Sequence, residues 1–238
     1  MTGGLYTAAA GLAAQQAWLD TLSNDIANVN TPGYRPGRIA FTDLLYQDAG
    51  GIAVGSGVGV NEVGRSATPG SQQPSANPLA VAIEGPGFIQ VKAGDGTTAL
   101  TRMGDLQVDV NGTLVTPSGN PLEPPVQLPK GTDPATVTIG EDGTVSAGGK
   151  PVGRITVVDV AAPNGLVSIG GGLLQATAQS GAPAPSTSTL TSGRIEASGV
   201  DIATAMTDLV AAQRAYALQS RVIKTHDQLA QIANEIRR

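Results

Sequence analysis

Cysteine is absent from this 238-residue chain, histidine and tryptophan occur once each, and phenylalanine only twice. Without cysteine there is no disulfide, no thiolate metal site and no cysteine nucleophile, and the chain can cross compartments without redox chemistry. Aromatic residues make up only 3% of the sequence, which argues against a large enclosed aromatic pocket. The 14 basic residues form no dense run and the net charge is −5, so the electrostatic footprint of a nucleic-acid binder is missing. No stretch of about 18 apolar residues spans a membrane, and no basic segment followed by an apolar core marks a cleaved leader. The chain is therefore expected either to stay inside the cell or to leave by another route.

Glycine and proline are plentiful instead, at 32 and 16, which suits a turn-rich β body built from small side chains. That body is flanked by two helical patterns. In the first, Leu5, Leu12, Leu19 and Ile26 recur every seven residues, with Ala8, Leu22 and Val29 beside them, which predicts a heptad seam over 3–29. Its polar member is Gln15, and the alanine-rich neighbours favour helix and close approach. In the second, Ile202, Leu209, Tyr216, Ile223 and Ala230 form another seven-residue row, with Met206 and Val210 alongside. A helix over 201–236 is about 50 Å long at 1.5 Å per residue, too long to hide on a small β domain. Ser198 and Asp201 have capping-box spacing at its start. The alternative is that each helix merely covers its own chain, as an amphipathic helix or as half of an intramolecular hairpin.

The first helix is expected to stop at Asn28-Val29-Asn30-Thr31-Pro32-Gly33-Tyr34, with Asn30 left-handed and Pro32-Gly33 at the centre of a type II turn. Between the helices, 81–83, 88–91, 106–108, 137–139 and 155–158 read as short strands punctuated by Gly and Pro. Asp95-Gly96, Asn111-Gly112 and Asp142-Gly143 are hairpin turns, each followed by Thr. The expected fold is α+β. A discontinuous terminal-helix domain (1–34 and 191–238) joins a central antiparallel β domain (76–190), with 35–75 as an extended connection.

Candidate chemistry is sparse. His226 stands next to Asp227, but adjacent helix residues point about 100° apart and form no dyad, so it reads as a solvated or interface histidine. Asp109-Val110-Asn111-Gly112 hints at a calcium loop, yet its preceding oxygen position is Gln107 and the later bidentate Glu is missing at Ser118. The glycines at 55, 57 and 59 lack the third glycine of a dinucleotide fingerprint. The acidic residues at Glu84, Asp95, Asp105, Asp109, Glu141 and Asp142 are scattered through turns, and a glycosidase would need two of them facing one cleft. Trp18, off the leucine seam, is either a partner-facing anchor or a packing residue. No catalytic residue, metal site or cofactor is expected.

Three stretches carry a resemblance. The first runs from Ala9-Ala10-Gly11-Leu12 through Gln15-Gln16 and Leu19-Asp20 to Ser23-Asn24-Asp25-Ile26-Ala27-Asn28-Val29-Asn30-Thr31-Pro32-Gly33-Tyr34. The second is Leu79-Ala80-Val81-Ala82-Ile83-Glu84-Gly85-Pro86-Gly87-Phe88-Ile89-Gln90-Val91 with Leu100-Thr101-Arg102. The third is Glu196-Ala197-Ser198-Gly199-Val200-Asp201, then Met206, Leu209-Val210, Gln213-Arg214-Ala215-Tyr216, Ile223 and Asp227-Gln228. Together they resemble the flagellar axial family of rod, hook and hook-associated proteins. Asp25 stands where the family usually has a second Asn, and Gly199 where Asn is commoner. Phe41, Asp43-Leu44-Leu45-Tyr46-Gln47 and the Gln-Arg-Ala-Tyr block are most like the distal rod branch, although the stretch after Gln47 is shorter than usual there.

The resemblance implies a non-enzymatic structural subunit of the flagellar basal body. In the family such a subunit leaves through the type III export apparatus without cleavage and polymerises helically through its terminal helices into a drive shaft and channel. Its implied partners are copies of itself, neighbouring rod and hook proteins and the export apparatus, with the bushing rings as a further option. The expected assembly interface is Leu5, Leu12, Leu19, Ile26, Ile202, Met206, Leu209, Tyr216 and Ile223. A proximal rod paralogue, or another hook-basal-body paralogue, is the alternative within the family. Outside it, the alternatives are a soluble β binding module on a coiled-coil stalk and an unrecognised hydrolase.

Overall fold

A computed structural model describes residues 2–48 and 53–236 and shows an α+β chain with one long helix at each end. Helix α1 spans Thr2–Ala27 and helix α2 spans Ile202–Ile236. Two compact units result. One gathers α1, residues 37–63 and α2; the other comprises Asn28–Pro36 and Gly64–Val200.

In the helical unit α1 packs on α2, and the strands Gly37–Asp43 and Val58–Arg65 pair with each other. The composition of 35–75 reads as an extended connection, but the chain there forms strands, with a further short pair at Tyr46–Asp48 and Ala53–Gly55. Valines at alternate positions, Val58 and Val60, suffice for a strand once a partner lies alongside. Trp18 meets Phe41 edge-to-face at 5.9 Å and 83°, so the lone tryptophan packs on the neighbouring strand of its own chain.

The β unit is built around a six-stranded antiparallel sheet in the order Val167–Gly170, Leu173–Gln175, Thr98–Thr101, Phe88–Lys92, Val157–Asp159, Ala184–Pro185. Side chains alternate across a strand, and here both faces are covered. Ile89, Val91 and Ala99 join the main core with Leu106, Leu114 and Leu122. Phe88, Leu100 and Val158 point the other way into a smaller cluster with Val160 and Leu166.

The three Asx-Gly turns form as the sequence predicts. Gly96, Gly112 and Gly143 have φ of 86°, 81° and 84°, and among the described residues no non-glycine has positive φ. With only the glycine left-handed, these are type I turns ending in a glycine bulge rather than mirror-image two-residue turns. Asp95 and Asp142 lock two of them: each accepts from the backbone N–H and the hydroxyl of the Thr two residues on. Those bonds, the hydroxyl first, hold both carboxyls below the usual range.

Both helix boundaries follow a mechanism that differs in detail from the sequence expectation. After α1, Asn30 is not left-handed; the chain turns through Thr31 N–H to the Asn28 carbonyl, 3.0 Å. The type II turn does form, with Gly33 at φ 68° and Tyr34 N–H donating to the Thr31 carbonyl at 3.2 Å. At α2 the N-cap is Asp201, not Ser198. Asp201 accepts from Ala203 N–H at 3.0 Å and from the Thr204 hydroxyl at 3.0 Å, while Ser198 caps only its own turn through Val200 N–H.

The Thr204 hydroxyl, followed by the Ala203 and Thr204 N–H groups, lowers the Asp201 pKa from its ordinary 3.8. A depressed carboxyl contributes stability that is present above the unfolded value and is lost as pH falls through the folded one. Protection of the Ala203 and Thr204 amides, measured against their intrinsic exchange rates, is therefore expected to fall as the pH drops below 3.8. Asp201→Ala is expected to show low protection at these amides already at neutral pH and no such acid step. An unchanged exchange rate in the variant would remove Asp201 as the cap.

Candidate assembly interface

The predicted interface residues divide by burial. Leu12, Leu19, Ile26, Leu209, Tyr216 and Ile223 are half-buried, whereas Ile202 and Met206 are exposed; Leu5 lies in α1, with its side chain outside the described residues. The helices meet one step round from the leucine row. Ala8, Ala14 and Leu22 of α1 and Ala205 and Ala212 of α2 are the buried apolar side chains, with Asp25 also buried at the α1 end. Small residues let the backbones approach: a Cβ added at Gly11 would stand 2.2 Å from Gln219 Nε2. Asp25 turns its carboxylate onto Gly37 N–H at 3.0 Å, a role that an Asn side-chain oxygen would also fill.

Outside this seam α2 presents a second apolar row to solvent. Ile202, Met206 and Val210 follow one another at four-residue steps, and Leu218, Val222, Leu229 and Ile232 continue at steps of four, seven and three, all exposed. At 100° per residue Ile202, Met206 and Val210 span about 80° of the helix and Leu218, Val222, Leu229 and Ile232 another 80° centred about 120° further round, so the row winds around the exposed side of α2. Soluble monomers rarely leave so long a row of large aliphatics uncovered. Gln213 and Arg214 are exposed, and Ala215 is half-buried beside Tyr216. His226 is half-buried on the same helix, and its Nδ1 is enclosed with no partner among the described residues.

The motif around the first turn leads to a charged cluster that the sequence reading did not single out. Asn24 and Ala27 end α1 as exposed residues, and Asn28, Thr31, Pro32, Gly33 and Tyr34 form the half-buried turn, with Asn30 exposed at its tip. The Thr31 hydroxyl donates to Asn28 Oδ1 at 3.1 Å. Gly33 lies so close to the Arg102 backbone that a Cβ would come within 2.7 Å of it. Gly33 N–H donates to the Glu196 carbonyl at 2.8 Å. Glu196 itself is buried; Oε2 accepts from Arg102 Nε at 2.6 Å, and Oε1 accepts from Gly70 N–H at 3.0 Å and lies 3.4 Å from Arg35 Nη2. Arg102 also donates to the carbonyls of Ile83, Gly85 and Gly87, and Arg35 to those of Ser66 and Ala67. The residues are separated by 94 positions in the Arg102–Glu196 case, so no local pattern announces the pair.

Four of the carboxylates considered for chemistry, Asp95, Asp105, Asp109 and Asp142, are engaged in hydrogen bonds. Asp109 accepts from Val110 N–H and from the Asn111 amide, and Asp105 accepts from Asn77. A groove of about 560 Å³ is lined in part by Glu141, Asp142, Arg154, Ser186 and Ser188, with Asp142 committed to Thr144. Among the described residues there is no cluster of three or more metal-ligating side chains, and no helix is long and apolar enough to cross a membrane.

Comparison with known proteins matches three segments. Residues 5–35 match the family described as flagella basal body rod protein, 82–147 the D1 domain of the flagellar hook protein FlgE/F/G group, and 191–236 the C-terminal region of flagellar basal body rod FlgEFG proteins. Similar full-length proteins include the flagellar basal-body rod protein FlgG of Agrobacterium fabrum, 36% identical over 97% of this chain and 98% of the relative. The FlgG of Borreliella burgdorferi is 36% identical over the whole of both chains, and that of Bacillus subtilis is 34% identical over 97% of each.

Proposed function

The chain belongs to the flagellar basal-body rod protein family and is a structural subunit of the rod, and from that premise we propose that it polymerises through its terminal helices in the distal part of the rod. The observation that carries this reading is the uncovered row Ile202, Met206, Val210, Leu218, Val222, Leu229 and Ile232, whose occupant is a second copy of the chain. Burying a large aliphatic side chain gains roughly 1.5–3 kcal/mol, and that gain becomes available only when a neighbour supplies the cover. The half-buried Leu12, Leu19, Ile26, Leu209, Tyr216 and Ile223 flank the intramolecular seam and are covered the rest of the way by the same neighbours; Leu5 belongs to the same proposed interface. Assembly and ordering of the helix ends are then coupled, since isolated helices are marginal in water.

In this reading the terminal segments 1–34 and 191–238 line the inner tube, 35–75 connects, and the β domain over 76–190 forms the outer wall. The chain acts without catalysis, reaches the basal body through the type III export apparatus, and contacts neighbouring rod and hook proteins and the bushing rings.

The direct test is association of the purified full chain as concentration rises, followed by sedimentation and negative-stain imaging. An open series of growing, rod-like assemblies is the expected result, because a contact that does not close yields filaments. A fixed small oligomer that stops growing would favour a stalked binding module and overturn the proposal.

A further inference from the structure

In the β unit two enclosed guanidinium groups share one carboxylate. Arg35 is 9% exposed, Arg102 4% and Glu196 2%. Arg102 uses its N–H groups on Glu196 and on three backbone carbonyls. Arg35 places Nη1 on two carbonyls and Nη2 near Glu196, but its buried Nε has no partner among the described residues. Burial, and after it the Arg102 charge, depresses the Arg35 pKa, with Glu196 opposing both.

Both arginines line a cavity of about 90 Å³, and a third, Arg65, lines it as well. Arg65 is only partly buried. It lies 5.4 Å over the Tyr34 ring and donates Nη1 to the Tyr34 hydroxyl and the Arg35 carbonyl, leaving Nη2 without a partner among the described residues. The carboxylate in the lining is Asp159, whose Oδ1 accepts from Val160 N–H at 2.8 Å. Asp159 and Glu196 thus supply two negative charges against three positive ones. The walls include Phe88, Leu166 and Leu174, which screen poorly, so the surplus charge interacts strongly with whatever enters. The whole chain carries −5; the positive cavity is not a by-product of a basic surface.

We propose that this cavity binds a compact oxyanion of phosphate or carboxylate type, with Arg65 as its direct ligand and Arg35 and Arg102 supplying the field. A cavity of about 90 Å³ suits a single phosphate or carboxylate group. The group can come from solution or from an acidic side chain of a neighbouring copy.

The dilute full-length chain, titrated with inorganic phosphate and separately with acetate at constant ionic strength, reads the site without requiring assembly. Saturable amide shifts are expected at Ser66, Ala67 and Gly87, weakened at least tenfold by Arg65→Gln and largely restored by Arg65→Lys. Adding phosphate to the concentrated chain separates the sources. A raised concentration threshold for association assigns the site to a neighbour's carboxylate, and an unchanged one assigns it to the free ion. Absence of saturable shifts at these amides with both anions, or equal shifts in Arg65→Gln, overturns the proposal while leaving the rod assignment untouched.

Discussion

Glu196→Gln is expected to lower the unfolding midpoint of the β unit by on the order of 10 °C, although the substitution conserves the shape of the side chain. Among the described residues the carboxylate is the single counter-charge bonded to Arg35 and Arg102. Removing one partner of a buried ion pair costs about 3–5 kcal/mol, because the remaining charge cannot be rehydrated without opening the fold. Each kcal/mol moves the midpoint by about 2–4 °C for a unit of 150–250 residues, a size close to that of residues 28–36 and 64–200. Glu196 also accepts from Gly70 N–H and, through its backbone carbonyl, from Gly33 N–H, so loosening it frees the turn that follows α1. Calorimetry of the full chain is the measurement, with Asp109→Asn as an exposed control. A shift below about 2 °C would mean that the carbonyls around Arg35 and Arg102 hold them without Glu196.

Val222→Asp is expected to abolish incorporation into the rod while leaving the isolated chain folded. Val222 is 56% exposed on α2, so a carboxylate there stays hydrated in the monomer. Within a polymer the same carboxylate would be desolvated without a partner, at a cost of several kcal/mol, more than one aliphatic contact supplies. Every subunit repeats the defect. Ala212→Asp makes the contrast, since Ala212 is fully buried between the helices, and its replacement is expected to disrupt the α1–α2 pairing already in the monomer. Thermal unfolding, secretion into the medium and recovery of the subunit in basal bodies distinguish the two. Normal incorporation of Val222→Asp would remove the exposed row from the interface and leave the half-buried leucines as the contact.

The comparison of these two positions shows what heptad counting could reach. Rows spaced by seven identify both helices, because 3.6 residues per turn is a local property of the chain. They do not say which of two adjacent rows faces inward. Leu12 and Leu19 look like the natural seam, yet Ala8, Gly11 and Ala14 are the residues that let α2 approach, and the bulkier leucines are left on the flank. Close approach depends on both partners at once, and the partner begins about 175 residues later (202 minus 27).

The hairpin turns were legible for the same reason that the helices were. Asp95-Gly96-Thr97 and its two counterparts specify their geometry within three residues, through a glycine with positive φ and, in two of them, an Asp bonded to the following Thr. So was the stop after α1, where Pro32-Gly33 set the turn. The segment 35–75 was not legible, since its strands exist by pairing rather than by propensity.

By itself, then, the sequence determined the two helices, the turn-punctuated β body and, through the three motif stretches, the rod family: each is written in residues that are neighbours along the chain. The tertiary structure alone decided which helical rows are covered, and it alone brought Arg35, Arg65, Arg102 and Glu196 to one place. The physical reason is that burial and Coulomb interaction depend on distance in space. Arg102 and Glu196, 94 residues apart in sequence and 2.6 Å apart in the fold, are partners only in the folded chain.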